Sequence, residues 1–298
     1  MSIGPFVVTP FLVDHSAFDA YALLVECGGR RLFYSGDLRA TGRKGQLFER
    51  LVSHPPRDVH AVLLEGTQIR DGGSRHSPLS ESDVEERCAR LFEATGGIVL
   101  AAYSGQNIDR VVTLYRAAKR TRRRLVLDLY GATIAAATET STIPQPGSHD
   151  IGVYVPQAQR VKVKRTGEFE RVRAIRGSRV FGKDLVADPG GFVLTFRGSM
   201  TGELDKMGCL DGASAVWSMW SGYLENEGGQ RTARWLADRG IPLTEIHASG
   251  HATVADLQRL AGAFDPARIV PIHTAHPDLY PGLFDGVELH PDGEWWEV

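Results

Sequence analysis

Four short segments of the sequence each end a strand-like run with a residue that can bind a metal ion or a phosphate group. They are Val13-Asp14-His15-Ser16, Ser35-Gly36-Asp37, Ser249-Gly250-His251 and Pro271-Ile272-His273-Thr274. Side chains that follow strands stand on loops above a sheet, where α/β proteins commonly build binding sites. Histidine and carboxylate are ligands of zinc and similar divalent ions. Each segment alone also fits a structural role, because an aspartate after Ser-Gly is often a turn residue.

The elements that would position these residues follow an alternating pattern of strands and helices. Helices are predicted at Ser80–Ala94, Asn107–Lys119, Gln230–Asp238 and Val254–Phe264. Strands are predicted at Tyr21–Glu26, Arg31–Ser35, Val59–Glu65, Ile98–Ala102, Leu125–Leu129, Gly191–Phe196, Ala215–Ser221, Leu243–Ser249 and Arg268–His273. Such alternation is typical of an α/β protein with a parallel sheet.

The composition is that of a globular protein, with 42% hydrophobic and 23% charged residues in a chain of 298. The net charge of −2 provides no overall attraction to nucleic acid, so any such contact must be local. The three cysteines are far apart, which indicates reduced thiols rather than a disulfide framework. The sequence has no signal-peptide pattern and no apolar run of membrane-spanning length, and we expect a cytoplasmic location without a membrane partner.

In this order, the segments resemble the β-CASP branch of the metallo-β-lactamase fold, the branch of ribonuclease J. Two early segments, from Val13 to Ala20 and from Tyr34 to Leu38, are similar to the third and fourth metal motifs of that family. Three later ones resemble its acidic motif, its histidine motif and its final metal histidine. They are Leu63-Leu64-Glu65-Gly66-Thr67, His247-Ala248-Ser249-Gly250-His251-Ala252 and Ile269-Val270-Pro271-Ile272-His273-Thr274.

This resemblance implies a role for each matching residue. His15 and His273 would each bind one of two zinc ions, with Asp37 shared between them, and manganese or magnesium could replace zinc. His251 would contact the scissile phosphate or protonate the leaving oxygen, and Glu65 would orient these groups. Ser104 and Ser199 would hold further phosphates. They stand in Tyr103-Ser104-Gly105-Gln106 and Phe196-Arg197-Gly198-Ser199-Met200, which look like the phosphate-facing loops of the family.

The main departure of the sequence from the family is that it contains no His-x-His-x-Asp-His run. In the family this run precedes the third motif and supplies most of the metal ligands. We expect the chain to begin after it. The missing segment would then come from a longer reading frame or a partner chain, and the strands left uncovered would favour a homodimer.

A basic run, Lys119-Arg120-Thr121-Arg122-Arg123-Arg124, is the clearest candidate contact for a nucleic-acid backbone. Arg120, Arg122 and Arg123 are its candidate contact residues. The run itself favours a solvated helix end, because basic side chains are favourable beside the last carbonyls of a helix, and the nucleic-acid contact is the functional alternative.

These inferences combine into one prediction. Residues 1–75 and 229–298 would form an α/β metallo-β-lactamase αββα sandwich that is incomplete at the N-terminus, and residues 76–228 an inserted Rossmann-like β-CASP domain. The chain would be a metal-dependent phosphodiesterase acting on RNA or single-stranded DNA. Two alternatives remain: a catalytically silent module that binds nucleic acid or a partner, and a hydrolase of a small phosphodiester or ester.

Overall fold

The computed structural model describes residues 1–70, 79–147 and 150–298. In chain order the strands are β1 (Ser2–Ile3), β2 (Phe6–Leu12), β3 (Tyr21–Cys27), β4 (Arg30–Tyr34), β5 (Ala61–Glu65), β6 (Val99–Tyr103), β7 (Arg124–Asp128), β8 (Ile151–Tyr154), β9 (Phe192–Thr195), β10 (Ser214–Ser218), β11 (Leu243–Glu245) and β12 (Arg268–Ile272). The α-helices are α1 (Gly45–Ser53), α2 (Glu81–Ala94), α3 (Ile108–Arg120), α4 (Leu129–Ala137), α5 (Gln157–Thr166), α6 (Phe169–Ala174), α7 (Gly182–Ala187), α8 (Thr201–Met207), α9 (Glu227–Ala237) and α10 (Val254–Phe264). The predicted α/β class is confirmed.

The chain divides into two units, each with its own sheet. The first unit comprises Met1–Ser80 and Ser249–Val298, and the second comprises Glu81–Ala248. The predicted boundary between residues 75 and 76 lies outside the described residues. The second boundary falls at Ala248 rather than after residue 228, because α9 and β11 belong to the second unit.

The sheet of the first unit is mixed, with the strand order β1-β2-β3-β4-β5-β12. The first four strands pair antiparallel, whereas β4, β5 and β12 run parallel to one another. Helices α1 and α10 pack against one face through a buried core that includes Phe33, Leu64, Leu257 and Phe264. Thr253 caps α10 by accepting a hydrogen bond from the backbone N–H of Asp256 at 3.1 Å.

The opposite face of this sheet is apolar and partly open to solvent. Strand alternation places Leu12, Tyr21, Leu23 and Tyr34 on the face opposite Phe33, and their register aligns them across β2, β3 and β4. Tyr21 is 46% exposed and Tyr34 is 38% exposed. A sheet face of this kind favours association with another apolar surface.

The sheet of the second unit has the order β11-β10-β6-β9-β7-β8, and all its described pairs are parallel. Its strands are buried on both faces, which explains their continuous apolar sequences. β11 ends at Glu245, four residues before the predicted strand end at Ser249. Beyond it, the carbonyls of Ala248 and Ser249 accept hydrogen bonds from two arginines, Arg110 and Arg39 respectively, instead of extending the ladder.

Within the described ranges, none of the helices combines the length and the hydropathy that crossing a bilayer requires.

Candidate metal centre

The candidate metal ligands all lie in the first unit, on loops at strand ends. His15 follows β2, Asp37 follows β4, and His273 follows β12. Because β4, β5 and β12 are parallel neighbours, their carboxyl ends meet at one edge of the sheet. The structure therefore places Asp37 beside His273, whereas His15, on the loop after β2, meets Asp37 in a group whose third member is His251.

His15 is oriented by a backbone carbonyl. Its Nδ1 lies 2.6 Å from the carbonyl oxygen of Gly250, so Nδ1 carries the proton and Nε2 presents its lone pair. A Cβ at position 250 would lie 3.0 Å from His15 Cε1, so glycine permits this close approach. Burial, the largest cause, lowers the pKa of His15, and the hydrogen bond to Gly250 opposes it. A histidine with one nitrogen fixed in this way and the other available is the usual arrangement of a metal ligand.

Asp37 and His273 form a direct contact at the sheet edge. His273 Nδ1 lies 2.6 Å from Asp37 Oδ1, and both side chains reach solvent. Thr67, which follows β5, donates from Oγ1 to the carbonyl oxygen of His273 at 3.2 Å. His273 has a φ of 47°, in the left-handed region that non-glycine residues rarely adopt. Such conformations persist where the surrounding structure holds a functional side chain in place.

Glu65 is fully buried and connects the loops of the site. Its carboxylate accepts from the backbone N–H groups of Leu38, Thr67 and Ala252 at 3.2–3.4 Å, and Oε2 lies 3.3 Å from His251 Nδ1. Burial alone would lower the pKa of His251, but the hydrogen bond and the negative charge of Glu65 outweigh it and raise that pKa. Glu65 therefore favours a protonated His251.

Three of these side chains converge closely enough to share one ion. The ligand atoms of His15, Asp37 and His251 all lie within 4.8 Å of one another. The His251 ring lies 5.3 Å from those of His15 and His273, measured between centroids. We call His15, Asp37, His251 and His273 the histidine centre. The sequence analysis assigned His273 to the metal and His251 to the phosphate. The three-residue group contains His251 and does not contain His273.

A buried ion pair beneath the histidine centre was not found by sequence reasoning. Arg39 and Asp14 are both fully buried, with Arg39 Nε 3.3 Å from Asp14 Oδ1. The backbone N–H of Arg39 donates to the carbonyl oxygen of Asp14 at 2.7 Å, and Nη1 donates to that of Ser249 at 2.9 Å. Arg39 thus joins the loops that carry His15, Asp37 and His251. Asp14 stands inside the Val13–Ala20 segment and Arg39 directly follows Leu38, but their pairing cannot be read from spacing.

The two serines proposed as phosphate contacts lie in the second unit, and both are exposed. Ser104 follows β6 and Ser199 follows β9, which are neighbouring parallel strands. Near them, Arg197 forms an ion pair with the buried Asp128 and stacks its guanidinium 5.2 Å from the Tyr130 ring. Sequence reasoning placed Arg197 in this loop but assigned it no role.

The three basic candidates differ in their surroundings. Arg120 Nη2 pairs with Glu86 at 2.7 Å. Arg123 donates to the backbone carbonyls of Gly97 and Thr95, which makes it a structural residue. Arg122 is exposed and has a φ of 58°. His247 precedes His251 in the predicted histidine motif. Its Nδ1 lies 3.4 Å from Arg110 Nη1, inside the second unit.

No family model matches the chain. Its fold is similar to that in a crystal structure described as a protein of unknown function from Enterococcus faecalis V583, with a TM-score of 0.73 and 19% sequence identity. The match covers 99% of this chain and 64% of that one, so the chain spans about two thirds of the length of the protein it resembles. The comparison supports the α/β fold across the whole chain.

Proposed function

We propose that this chain is a metal-dependent phosphodiesterase of the β-CASP branch of the metallo-β-lactamase fold, acting on RNA. The observation that carries the proposal is the histidine centre, in which three imidazoles and one carboxylate from four loops meet at one sheet edge. The order of the five motifs along the chain gives it further support. In this proposal the first unit is the metallo-β-lactamase sandwich and the second is the inserted Rossmann-like β-CASP domain.

The donor set fits a divalent transition-metal ion. Imidazole nitrogens with one carboxylate oxygen suit zinc better than magnesium or calcium, which prefer oxygen ligands. His15 has Nδ1 beside the carbonyl of Gly250, so it can present Nε2 to a metal ion. In our assignment His15, Asp37 and His273 hold the metal. When bound, it supplies Lewis-acid chemistry, activating water and stabilising negative charge on a phosphate.

His251 is assigned to proton transfer in this mechanism. Its raised pKa favours a proton on the ring, and Glu65 holds the ring through Nδ1. A protonated Nε2 can donate to the leaving oxygen of a phosphodiester as a general acid. Glu65 acts as a positioning residue, because it also binds the backbone of the loops next to Asp37 and His251.

The absent His-x-His-x-Asp-His run sets an expectation for affinity. The centre supplies three or four ligands, and the two-metal site implied by the family would need more. We therefore expect weak metal binding by this chain alone and tighter binding when a segment or partner chain adds ligands.

Metal content and RNA hydrolysis test the proposal together. Purified protein is dialysed against zinc- or manganese-containing buffer, analysed by mass spectrometry for metal per chain, and assayed on labelled single-stranded RNA. We expect bound metal that is lost in Asp37→Asn and retained in His54→Gln, a control histidine at the end of α1. Metal content equal in wild type and Asp37→Asn would refute the centre.

The variant His251→Gln separates two roles for this residue. If His251 donates a proton, the variant keeps its metal and loses hydrolysis. If His251 is instead the third ligand of the group with His15 and Asp37, the variant loses both.

A catalytically silent module is the second candidate function, and the absent His-x-His-x-Asp-His run favours it. It predicts RNA binding or association with a partner chain in the presence of EDTA and no hydrolysis with any added metal. Hydrolysis that is lost in Asp37→Asn would eliminate this candidate.

A further inference from the structure

A basic cleft lies in the second unit, at the edge of the parallel sheet where β7 and β8 begin. Its volume is about 250 Å³, and its walls are formed by Tyr115, Lys119, Arg122, Arg123, Arg124 and Asp150. Ser104 and Ser199 follow the opposite, carboxyl ends of strands in the same sheet. The cleft is therefore separate from the loops that the family resemblance assigns to phosphate.

The positive charge of the cleft is poorly compensated. Four cationic side chains face one carboxylate, that of Asp150, which pairs with Lys119 at 3.0 Å. Arg123 and Arg124 are held by backbone carbonyls, with Arg123 Nη1 2.7 Å from the Gly97 oxygen and Arg124 Nη2 3.1 Å from the Ile151 oxygen. A carbonyl fixes a guanidinium without neutralising it, so both groups keep their positive charge in fixed positions, although Asp188 also acts electrostatically on Arg123.

Arg122 is the side chain most available to a ligand. It is exposed, and across the described ranges no carboxylate lies within ion-pair distance of it. Its neighbour Arg120 differs, because Glu86 occupies its guanidinium. The left-handed backbone of Arg122 belongs to the turn that ends α3, in which the Arg122 N–H donates to the Lys119 carbonyl at 3.2 Å and the Arg123 N–H to the Ala118 carbonyl at 2.8 Å.

The size and chemistry of the cleft favour a phosphate-bearing chain. Its volume lies below the roughly 300–1,000 Å³ of typical small-molecule pockets, which suits a phosphate group and its sugar rather than a large cofactor. Guanidinium groups match the geometry of phosphate oxygens. The Tyr115 ring, with Lys119 Nζ 5.7 Å from its centroid, gives one wall an aromatic face.

We propose that this cleft binds the phosphodiester backbone of single-stranded nucleic acid, as a second contact that residues of the second unit form alone. The choice of nucleic acid as ligand rests on the proposed function, whereas the presence of an anion site rests on the cleft. It would hold a substrate strand by its backbone and leave the base sequence unread.

Fluorescence anisotropy with a short labelled single-stranded oligoribonucleotide, in EDTA, tests this proposal. The double variant Lys119→Ser/Arg122→Ser removes two exposed cations and leaves the structural Arg123 and Arg124 in place. The matched control is Lys164→Ser/Arg165→Ser, in the last turn of α5. We expect the Kd of the cleft variant to rise about tenfold or more. The slope of log affinity against log salt should fall by roughly 0.7 per lost phosphate contact.

Equal affinity of wild type and cleft variant, or an equal loss in the control, would overturn the proposal. Competition identifies the ligand class: unlabelled oligoribonucleotide should displace the probe, and inorganic phosphate, adenosine monophosphate and polyglutamate should not. Displacement by polyglutamate at the same charge concentration would assign the cleft to acidic peptides. Displacement by phosphate or the mononucleotide would assign it to a free ligand. Each result overturns the polynucleotide assignment.

The same variants separate this inference from the proposed hydrolysis. Binding that depends on Lys119 and Arg122, without metal-dependent cleavage, would remove the phosphodiesterase proposal and keep the cleft. Metal-dependent cleavage together with unchanged RNA binding in the cleft variant would keep the phosphodiesterase proposal and remove the cleft.

Discussion

Each of the two units contains a polar cluster, centred on histidines in the first unit and on an arginine in the second. The clusters differ in whether their polar groups bond one another or remain accessible to solvent. In the second unit, Arg110 and Glu81 form a fork-to-fork pair with Nη2–Oε1 at 2.9 Å and Nε–Oε2 at 3.3 Å. Thr113 donates to Glu81 at 2.7 Å, and Arg110 Nη1 donates to the Ser218 carbonyl at 2.9 Å. These four residues, the buried arginine cluster, are excluded from solvent.

The histidine centre of the first unit has the opposite character. The side chains of His251, Asp37 and His273 are 19%, 34% and 56% exposed, and His15 directs only one ring nitrogen to a backbone acceptor. A cluster whose groups bond one another away from water stabilises the fold. A cluster that converges on a solvent-accessible point can bind a ligand. The buried network in the first unit, Asp14 with Arg39 and Glu65, lies under the centre and supports it.

The largest effect that this comparison predicts is on stability, from breaking the buried arginine cluster. Glu81→Leu leaves the Arg110 charge buried without its carboxylate, and we expect a loss of about 3–5 kcal/mol in the free energy of unfolding. Urea denaturation followed by circular dichroism measures it. The control Glu86→Leu, which breaks the exposed pair with Arg120, should change stability far less. A similar loss of unfolding free energy in both variants would show that the buried arginine cluster stabilises the fold no more than an exposed ion pair does.

The next effect should appear in metal affinity and leave stability nearly unchanged. His15→Ala removes a ligand from the histidine centre, and we expect zinc affinity to fall by about two orders of magnitude. The unfolding free energy of the metal-free protein should change by only about 1 kcal/mol, since the ring is only partly buried. Isothermal titration calorimetry with zinc measures the first quantity and thermal unfolding in EDTA the second. Unaltered zinc affinity would show that His15 is structural.

A smaller effect on the metal is expected from the residue that supports the centre. Glu65→Gln keeps the shape of the side chain but presents an NH₂ group where backbone N–H donors require an acceptor. We expect metal affinity or activity to fall about 10- to 100-fold, the usual range for a group that orients a ligand. Asp37→Glu is the matched comparison, because it retains a carboxylate ligand and lengthens the side chain by one methylene group. No change in Glu65→Gln would mean that Glu65 serves only the fold.

The smallest energetic effect should come from the open face of the first unit. Tyr21→Lys places a charge on this apolar face, and we expect unfolding free energy to change by only about 0.5 kcal/mol. Association between copies, measured by light scattering over a range of concentrations, should decrease. Val161→Lys, on the exposed surface of α5, is the control. A monomer in the wild type would remove the expectation of a homodimer.

Helices α2, α3, α9 and α10 and the ligand positions could be predicted from sequence because their signals are local, whereas α4 to α8 were not predicted. Helix α10 was predicted with the bounds that the structure shows, since its apolar residues recur at helical spacing after Thr253. Asp37 and His273 were predicted at strand ends, and parallel pairing of their strands then brings them together.

The support of the site could not be predicted, because it depends on pairings between distant residues. Arg39 and Asp14 are 25 positions apart, and Arg39 reaches Ser249 across 210. Neither pair has a spacing that marks it, and a charged residue in sequence is usually expected on the surface. The short length of β11 was missed for the same reason, because Arg110 and Arg39 occupy the carbonyls beyond it.

The discontinuous first unit has a consequence for the order of events during synthesis. Strand β5 pairs on one side with β12, which follows the entire second unit in the chain. At typical translation rates, residues 81–248 take on the order of 10 seconds to emerge. During this interval the ribosome-bound chain carries β5 as an unpaired strand edge and lacks His251 and His273. We therefore expect the second unit to fold first, and the histidine centre to assemble only when the C-terminal segment returns to the sheet.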